Sequence, residues 1–510
     1  MKPILSVAEM RDVDAAAIAR VGIETLVARA GSALAWAVRR RMGGTYGRRV
    51  VVVAGAGHNG DDARVAAAWL ARWGARVVVV SAAGRGGRPP QIPPCELVID
   101  AAYGTGFHGD YIAPVVPPGA LVVAVDIPTG VDGDGGEACG DAVRADATVT
   151  FVALKPGLLV GEGRARSGEV EVAGIGLDAS GARAHLVTDA DLASLPERPA
   201  ETHKWASALF VAAGSAGMLG AASLCSRAAM RAGAGMVRLG IPGMAPEGLP
   251  VGEVVASALP AQGWAAEVLG ELRRCKALVI GPGLGRSEAT ADAVRALVVA
   301  SPVPILLDAD ALAVVGSAAE LGELVRSRGA ARPLAGEAGG SLPGEAFGVL
   351  PGEAFGSLAG EAGGWVAGAA GASLAGEAAP PVLVTPHDGE FAGLAGHPPG
   401  ADRFEAARWL ARTSGATVLL KGPTTIVAAP DGRVLVSTSG SARLATAGTG
   451  DVLSGVIGAF LAQGVEVALA AALGAHVHGR AASRGLVCGL VAGDLVDLVA
   501  AELSCVRPSL

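Results

Sequence analysis

The run RVVVVAGAGHNGDDARVAAAWLARWGARVVVVSAAG, residues 49–84, decides the fold. Residues 50–54 form a short apolar strand, 55–60 a glycine turn, 62–73 an amphipathic helix and 76–80 a second strand. Strand, turn, helix and strand in that order are the start of a parallel α/β sheet. Gly55-Ala56-Gly57-His58-Asn59-Gly60 also fits G-x-G-x-x-G, the loop that lets a dinucleotide pyrophosphate approach the backbone. A dehydrogenase should close its next strand with an acid that holds the ribose hydroxyls. Here that strand runs into SAAGRGGR, residues 81–88, with no Asp or Glu. Any tight turn before a helix also selects glycines for the positive φ they allow. The dehydrogenase reading therefore starts at a disadvantage.

Apolar runs continue outward from this unit at 96–100, 121–126 and 147–152. Residues 178–202 then turn polar and proline-containing, and a second alternating series begins with runs at 208–212, 236–239, 277–280, 304–308, 381–385, 417–420 and 425–428. The expected division is an α/β domain over 1–180, a linker over 181–201 and a larger α/β domain over 202–510. Residues 334–381 differ in kind. They write as six octads of the type LAGEAGGS, too short and too poor in large apolar side chains for a solenoid, and read as a flexible insertion.

Composition excludes several classes. The net charge is −7 over 510 residues, and no Lys/Arg-rich run is present to track a phosphate backbone, so nucleic acid is not an expected partner. The first 40 residues carry Glu9, Asp12, Asp14 and Glu24 without an unbroken apolar core, unlike a signal or transit peptide. The most apolar stretch, 452–474, holds Gln463, Glu466 and several glycines, unlike a membrane span. Six cysteines without C-x-x-C spacing argue against structural zinc and against a disulfide framework. A cytoplasmic enzyme with no membrane partner is the expectation.

Chemistry concentrates in the second series. In ARLATAGTGDVLSGVIGAFLAQG, residues 442–464, Gly448-Thr449-Gly450-Asp451 opens an apolar helix. The free N–H groups and the dipole of that helix make an anion site, and Asp451 could take a proton from a substrate hydroxyl or could simply cap the helix. VIGPGLG (279–285), LLDADAL (306–312), LVTPHDGEF (383–391) and LLKGPTTIV (419–427) each place a strand before a glycine, acid, histidine or lysine. In α/β sheets these strand ends line the ligand crevice.

With those motifs, residues 200–505 closely resemble the ADP-dependent NAD(P)H-hydrate dehydratases of the ribokinase-like superfamily. GAGHNGDD, VIDAAYGTGF, VVAVDIPTGVDGDGG and ADATVTFVALKPG make residues 1–180 similar to the NAD(P)H-hydrate epimerase domain fused to that dehydratase in many bacteria. The resemblance implies a Rossmann-like three-layer domain followed by a ribokinase-like α/β domain. It also implies substrates NADHX and NADPHX, the nicotinamide cofactors hydrated at C6, with R-to-S epimerisation followed by ADP-dependent dehydration of the S form. By this resemblance His58, Asn59, Gly60, Asp61, Asp62, Gly104, Thr105 and Gly106 bind the dinucleotide, Asp126 is catalytic, and Asn59, Asp100 and Thr129 hold K+. In the second domain it places Ala221, Gly285 and His387 near the hydrated dinucleotide. Lys421, Gly422, Pro423, Thr424, Thr425 and Gly450 fall near ADP, Mg2+ is carried with the nucleotide, and Asp451 is the base. A homo-oligomer is implied as well. Asp61 stands where that family has glycine, which puts an added carboxylate beside the expected pyrophosphate. Competing readings are a ribokinase-like small-molecule kinase and a non-catalytic N-terminal dinucleotide-binding module.

Long unstructured loops are tolerated at modest entropic cost. Replacing residues 334–379 by a short Gly/Ser linker should therefore leave dehydration kcat within a few-fold, as a steady-state assay with the S hydrate would measure.

Overall fold

The computed structural model describes residues 1–83, 89–249, 252–328 and 379–506. The octads up to residue 378, and Arg85 and Arg88 of the first domain, lie outside the described residues.

Both alternating series form sheets. In the first, six parallel strands lie in the order Arg76–Ser81, Arg49–Ala54, Leu97–Ala101, Leu121–Val125, Ala147–Phe151 and Glu169–Ala173. Helices Ile23–Arg41 and His58–Arg72 cover one face, where Leu34, Val38 and Leu70 pack against Val50, Val52 and Ile99. The other face buries Val51, Val53, Val98 and Ala124 under irregular segments that include Cys95, Tyr111 and Val143. Helix Gly161–Arg166 borders these segments, with Arg166 Nη1 donating to the Ala142 carbonyl at 2.7 Å.

The second sheet has eleven strands, ordered Lys2–Ile4, Ala184–Leu186, Val434–Ser437, Thr425–Ala428, Thr417–Leu420, Val382–Val384, Ile305–Leu307, Ala277–Ile280, Ala208–Ala212, Met236–Pro242 and Val255–Leu259. All share one direction except Lys2–Ile4 and Thr425–Ala428, which run against their neighbours. Helices Leu219–Arg231, Thr449–Ala462, Val467–Arg484 and Ala492–Val506 pack on one face, and Glu288–Ala300, Ala318–Ser327 and Arg403–Ser414 contribute to the core on the other. This half is a three-layer α/β unit with parallel strands at its centre.

The expected linker is part of the second sheet. Ala184–Leu186 pairs in parallel with Val434–Ser437, and Lys2–Ile4 pairs antiparallel with Ala184–Leu186. Thr188 and Asp191 then form a capping box, and Asp191 also accepts from the N-terminal ammonium at 2.7 Å. Strands of three residues carry too little period-2 pattern to stand out of a polar sequence.

The helix Thr449–Ala462 is apolar all round and nearly every residue of it is buried. Its glycines allow close packing: a Cβ on Gly455 would lie 2.1 Å from the Cys225 carbonyl oxygen, and one on Gly458 would lie 2.5 Å from Val279. Among the described residues no single helix is long and apolar enough to cross a membrane.

Candidate active sites

In the first half, a cleft of about 410 Å3 opens at the carboxyl ends of the parallel strands. His58, Asn59 and Asp62 line it from the start of helix His58–Arg72, and Gly104, Thr105 and Gly106 from the loop after Leu97–Ala101. Asp126 and Lys155 come from the loops after the next two strands. The glycine turn is as tight as its sequence suggested, since a Cβ on Gly60 would sit 2.1 Å from the Gly55 carbonyl oxygen.

Asp126 has φ 68°, a left-handed value that costs a non-glycine residue energy and is held here by its surroundings. Its N–H donates to the Val149 carbonyl, 2.7 Å away. Its carboxylate accepts from Lys155 Nζ at 2.5 Å and from Thr150 Oγ1 at 3.0 Å. Lys155 is 1% exposed, and its other contacts are Thr150 Oγ1 at 2.8 Å and the Phe151 carbonyl at 3.1 Å. That single ammonium faces several acids. Burial first, then Asp126, Asp61 and Asp14, pushes the Asp62 carboxyl from 3.8 up to about 8. Asp14 is raised by its own burial and by Asp126.

Asp100 lies beneath this cleft, fully buried. It accepts from Thr129 N at 2.8 Å and Thr129 Oγ1 at 2.7 Å, and burial lifts its pKa to about 6 despite those bonds. No cationic side chain pairs with it among the described residues. Asn59 Nδ2 donates to the Val125 carbonyl at 3.0 Å, leaving its Oδ1 as an oxygen donor nearby. A buried carboxylate without a counter-charge, a hydroxyl and an amide oxygen suit a hard monovalent cation.

In the second half, a cavity of about 810 Å3 lies among the carboxyl ends of strands Val382–Val384 and Thr417–Leu420 and the start of helix Thr449–Ala462. Its walls include His387, Lys421, Gly422, Pro423, Thr425, Gly450 and His478. Lys421 Nζ donates to Asp308 Oδ1 at 2.5 Å and lies 3.8 Å from Glu390 Oε2. Burial alone would lower this ammonium, yet Asp308 and Glu390 raise it overall. Asp308 also accepts from Thr385 Oγ1 at 2.9 Å and Ser454 Oγ at 2.6 Å, tying three strands and the helix together.

Asp451 occupies the first turn of that helix, three residues after Gly448, whose φ is 89°. Burial and then Asp308 raise its carboxyl to about 6, with Lys421 pulling the other way. His387 caps helix Asp388–Ala395: its Nδ1 accepts from Gly389 N at 2.9 Å and Glu390 N at 3.2 Å, while Glu390 accepts from His387 N at 2.9 Å. With Nδ1 engaged as acceptor, the neutral ring carries its proton on Nε2. Burial lowers His478 to about 4, so it is neutral, and its Nε2 has no hydrogen-bond partner among the described residues.

The structure brings most of the expected residues together and separates a few. Asp61 is not in the cleft wall. It pairs at 2.9 Å with Arg64, which also reaches the Gly55 carbonyl, so the charge expected to repel a pyrophosphate is compensated on the helix surface. Thr424 is buried against the first half and leaves its neighbours to form the cavity wall. Ala221 and Gly285 are not in the cavity wall; the Gly283 turn packs against Ala221, and the Gly285 N–H donates to Asp310 at 2.9 Å. Lys155, Thr150, Asp14, His478 and Arg164 were not singled out as site residues from the sequence, whereas Asp308 was expected at a strand end lining the crevice. Lys155 and Asp308 stand in quoted motifs, but only contact reveals what they neutralise.

Two parallel α/β units, each with a glycine loop, a lysine paired to an aspartate and surplus carboxylates at its strand ends, define a two-site nucleotide-handling enzyme. A family model described as "NAD(P)H-hydrate dehydratase" matches residues 209–329 and 366–496, and one described as "YjeF-related protein N-terminus" matches 23–91 and 85–157. The chain is 36% identical over 511 residues to the bifunctional NAD(P)H-hydrate repair enzyme Nnr of Mycobacterium leprae, with 95% of this chain and 94% of that one covered. It is 34% identical to the enzyme of that name from Moorella thermoacetica, covering 79% of this chain and 72% of the other. A Bacillus subtilis structure, an ADP/ATP-dependent NAD(P)H-hydrate dehydratase co-crystallized with ATP/Mg2+, is 25% identical with TM-score 0.44, over 62% of this chain and 97% of that one. The chain belongs to the family of bifunctional NAD(P)H-hydrate repair enzymes, with an epimerase-type first half and a dehydratase second half.

Because Asp62 is raised from 3.8 to about 8, the folded state holds its proton more tightly than the unfolded state does. The stability this lends is complete at low pH and is lost as pH rises through that interval. Asp62→Asn should therefore gain stability over the parent steadily from about pH 4 to pH 8, and the gap should level off above that, as urea midpoints across the series would record.

Proposed function

We propose that the second half, residues 202–510, uses ADP to dehydrate S-NAD(P)HX, and that the first half, residues 1–180, converts the R hydrate to the S form. The observation that carries the first assignment is Asp451, half-buried at the N-terminus of an apolar helix, one residue from the cavity wall and in the field of Lys421. A carboxylate there accepts the proton of the C6 hydroxyl as that oxygen takes the β-phosphoryl group of ADP, which leaves as AMP. Phosphate then departs from C6 with loss of a proton from C5, and the ring regains its double bond. The N–H groups at the start of the helix meet the charge on the phosphoryl group. Lys421, Gly422, Pro423, Thr425 and Gly450 are the proposed ADP contacts, with Ala221, Gly285 and His387 toward the dinucleotide. Mg2+ would travel with the nucleotide phosphates and offset their charge.

Inversion at C6 in the first half needs one group to protonate the departing hydroxyl and another to deprotonate the water that returns. Asp62, protonated at neutral pH, and Asp126, paired with Lys155 at 2.5 Å, are two acids whose surroundings set them apart for these roles. His58, Asn59, Gly60, Gly104, Thr105 and Gly106 are the proposed dinucleotide contacts. Asp100, Thr129 and Asn59 are the proposed K+ ligands, and the cation would neutralise Asp100 and stiffen the loops above it. We further propose a homo-oligomer located in the cytoplasm.

Separate assays with the R and S hydrates test both halves. Asp451→Asn should lower dehydration kcat by roughly 10²–10⁴-fold with ADP affinity nearly unchanged, and the parent rate should rise with pH through about 6 as Asp451 ionises. Near-normal turnover together with a lower melting temperature would make Asp451 a helix cap only. Asp126→Asn should abolish conversion of the R hydrate while leaving turnover of the S hydrate in place.

A further inference from the structure

One wall of the second half's cavity is built by the first half. Arg164, on the short helix Gly161–Arg166, lines that cavity alongside Lys421, Gly422, Pro423 and Gly440. Its Nη1 donates to Thr424 Oγ1 at 3.1 Å, and its Nη2 donates to the Thr438 and Gly440 carbonyls, both at 3.0 Å. It thus holds two loops of the second half, 422–425 and 438–442, in one grip. Those loops touch each other, since a Cβ on Gly440 would lie 2.7 Å from the Pro423 carbonyl oxygen. The Thr424 hydroxyl completes the joint by donating to the Leu159 carbonyl of the first half.

The joint is anchored firmly. Leu158, Leu159 and Val160, just before the helix, are at most 5% exposed and belong to the same apolar core as Ile280, Leu307 and Val384 of the second half. The guanidinium is half-buried, its three acceptors are neutral, and among the described residues no carboxylate pairs with it. A cation desolvated in this way, with no carboxylate of its own, favours an anionic occupant, and the fixed fork of arginine suits holding two backbone segments at once.

We propose that Arg164 is a positioning residue for nucleotide binding in the dehydratase half, supplied in cis by the epimerase half. This rests on the reading of the 810 Å3 cavity as the ADP site. Since the same contacts dock the two halves, ADP binding and docking are thermodynamically linked, and each strengthens the other.

The test uses the full chain: the parent, Arg164→Ala, Arg164→Lys and Thr424→Val. ADP KM and kcat for the S hydrate, the rise in Tm caused by ADP, and R-hydrate epimerisation are measured for each. Arg164→Ala should raise ADP KM on the order of tenfold, as losing charge-assisted bonds would, with a smaller change in kcat. It should also shrink the ADP-induced rise in Tm and leave epimerisation at the parent rate. Arg164→Lys, which keeps the charge without the fork, should fall between the two. Thr424→Val should raise KM by a smaller factor and serves as the test if Arg164→Ala does not fold. Unchanged ADP KM and an unchanged ADP-induced Tm shift in these variants would overturn the proposal, even if their Tm without ADP were lower. A parent chain that ADP does not stabilise would instead overturn the assignment of the cavity.

Discussion

Each half holds one lysine largely withdrawn from water among more carboxylates than it can neutralise, and the rest of each site is arranged around that imbalance. Lys155 is committed to Asp126, and Lys421 to Asp308, both at 2.5 Å. Charge taken out of water is tolerated only when compensated. The acids left over, Asp62 and Asp451, therefore bind protons far more readily than ordinary carboxyls, at about 8 and about 6. A carboxyl poised near neutrality can give or take a proton during turnover, whereas the paired ones hold shape and field. Backbone strain gathers at the same places. The non-glycine residues with positive φ among the described ones are Asp126, Val152 and Ala309, which flank the ion pairs at the strand ends.

Both arrangements depend on parallel strands ending together. Asp308, Thr385 and Lys421 follow three adjacent strands, so short loops suffice to bring them into contact. The glycines near them answer to sterics: Gly281 has φ 134°, and a Cβ there would lie 1.7 Å from the Asp308 carbonyl oxygen. On the opposite side, helix Thr449–Ala462 buries all its faces, which fixes the direction of its N-terminus and with it Asp451.

The two halves are not beads on a string. The chain begins in the second half's sheet, crosses into the first half, and returns through Ala184–Leu186 to the strand next to where it began. Residues Ile4, Leu154 and Leu158 of the first half share a core with the second. Docking on this scale makes the small joint at Arg164 and Thr424 possible, because it holds a short helix from one half against two loops of the other.

The sequence by itself determined the α/β class, the strand runs in both series and part of the lining of each cavity. Strand periodicity, glycine turns and helix starts are local, and neighbouring residues suffice to encode them. Runs at 208–212, 277–280, 417–420 and 425–428 coincide with strands residue for residue. Only the tertiary structure decided how the halves are joined and that Thr424 faces the other half. It alone decided which carboxylates lose the competition for a lysine. Those outcomes depend on burial and on distances between groups from 29 to 265 residues apart along the chain, which no local pattern contains.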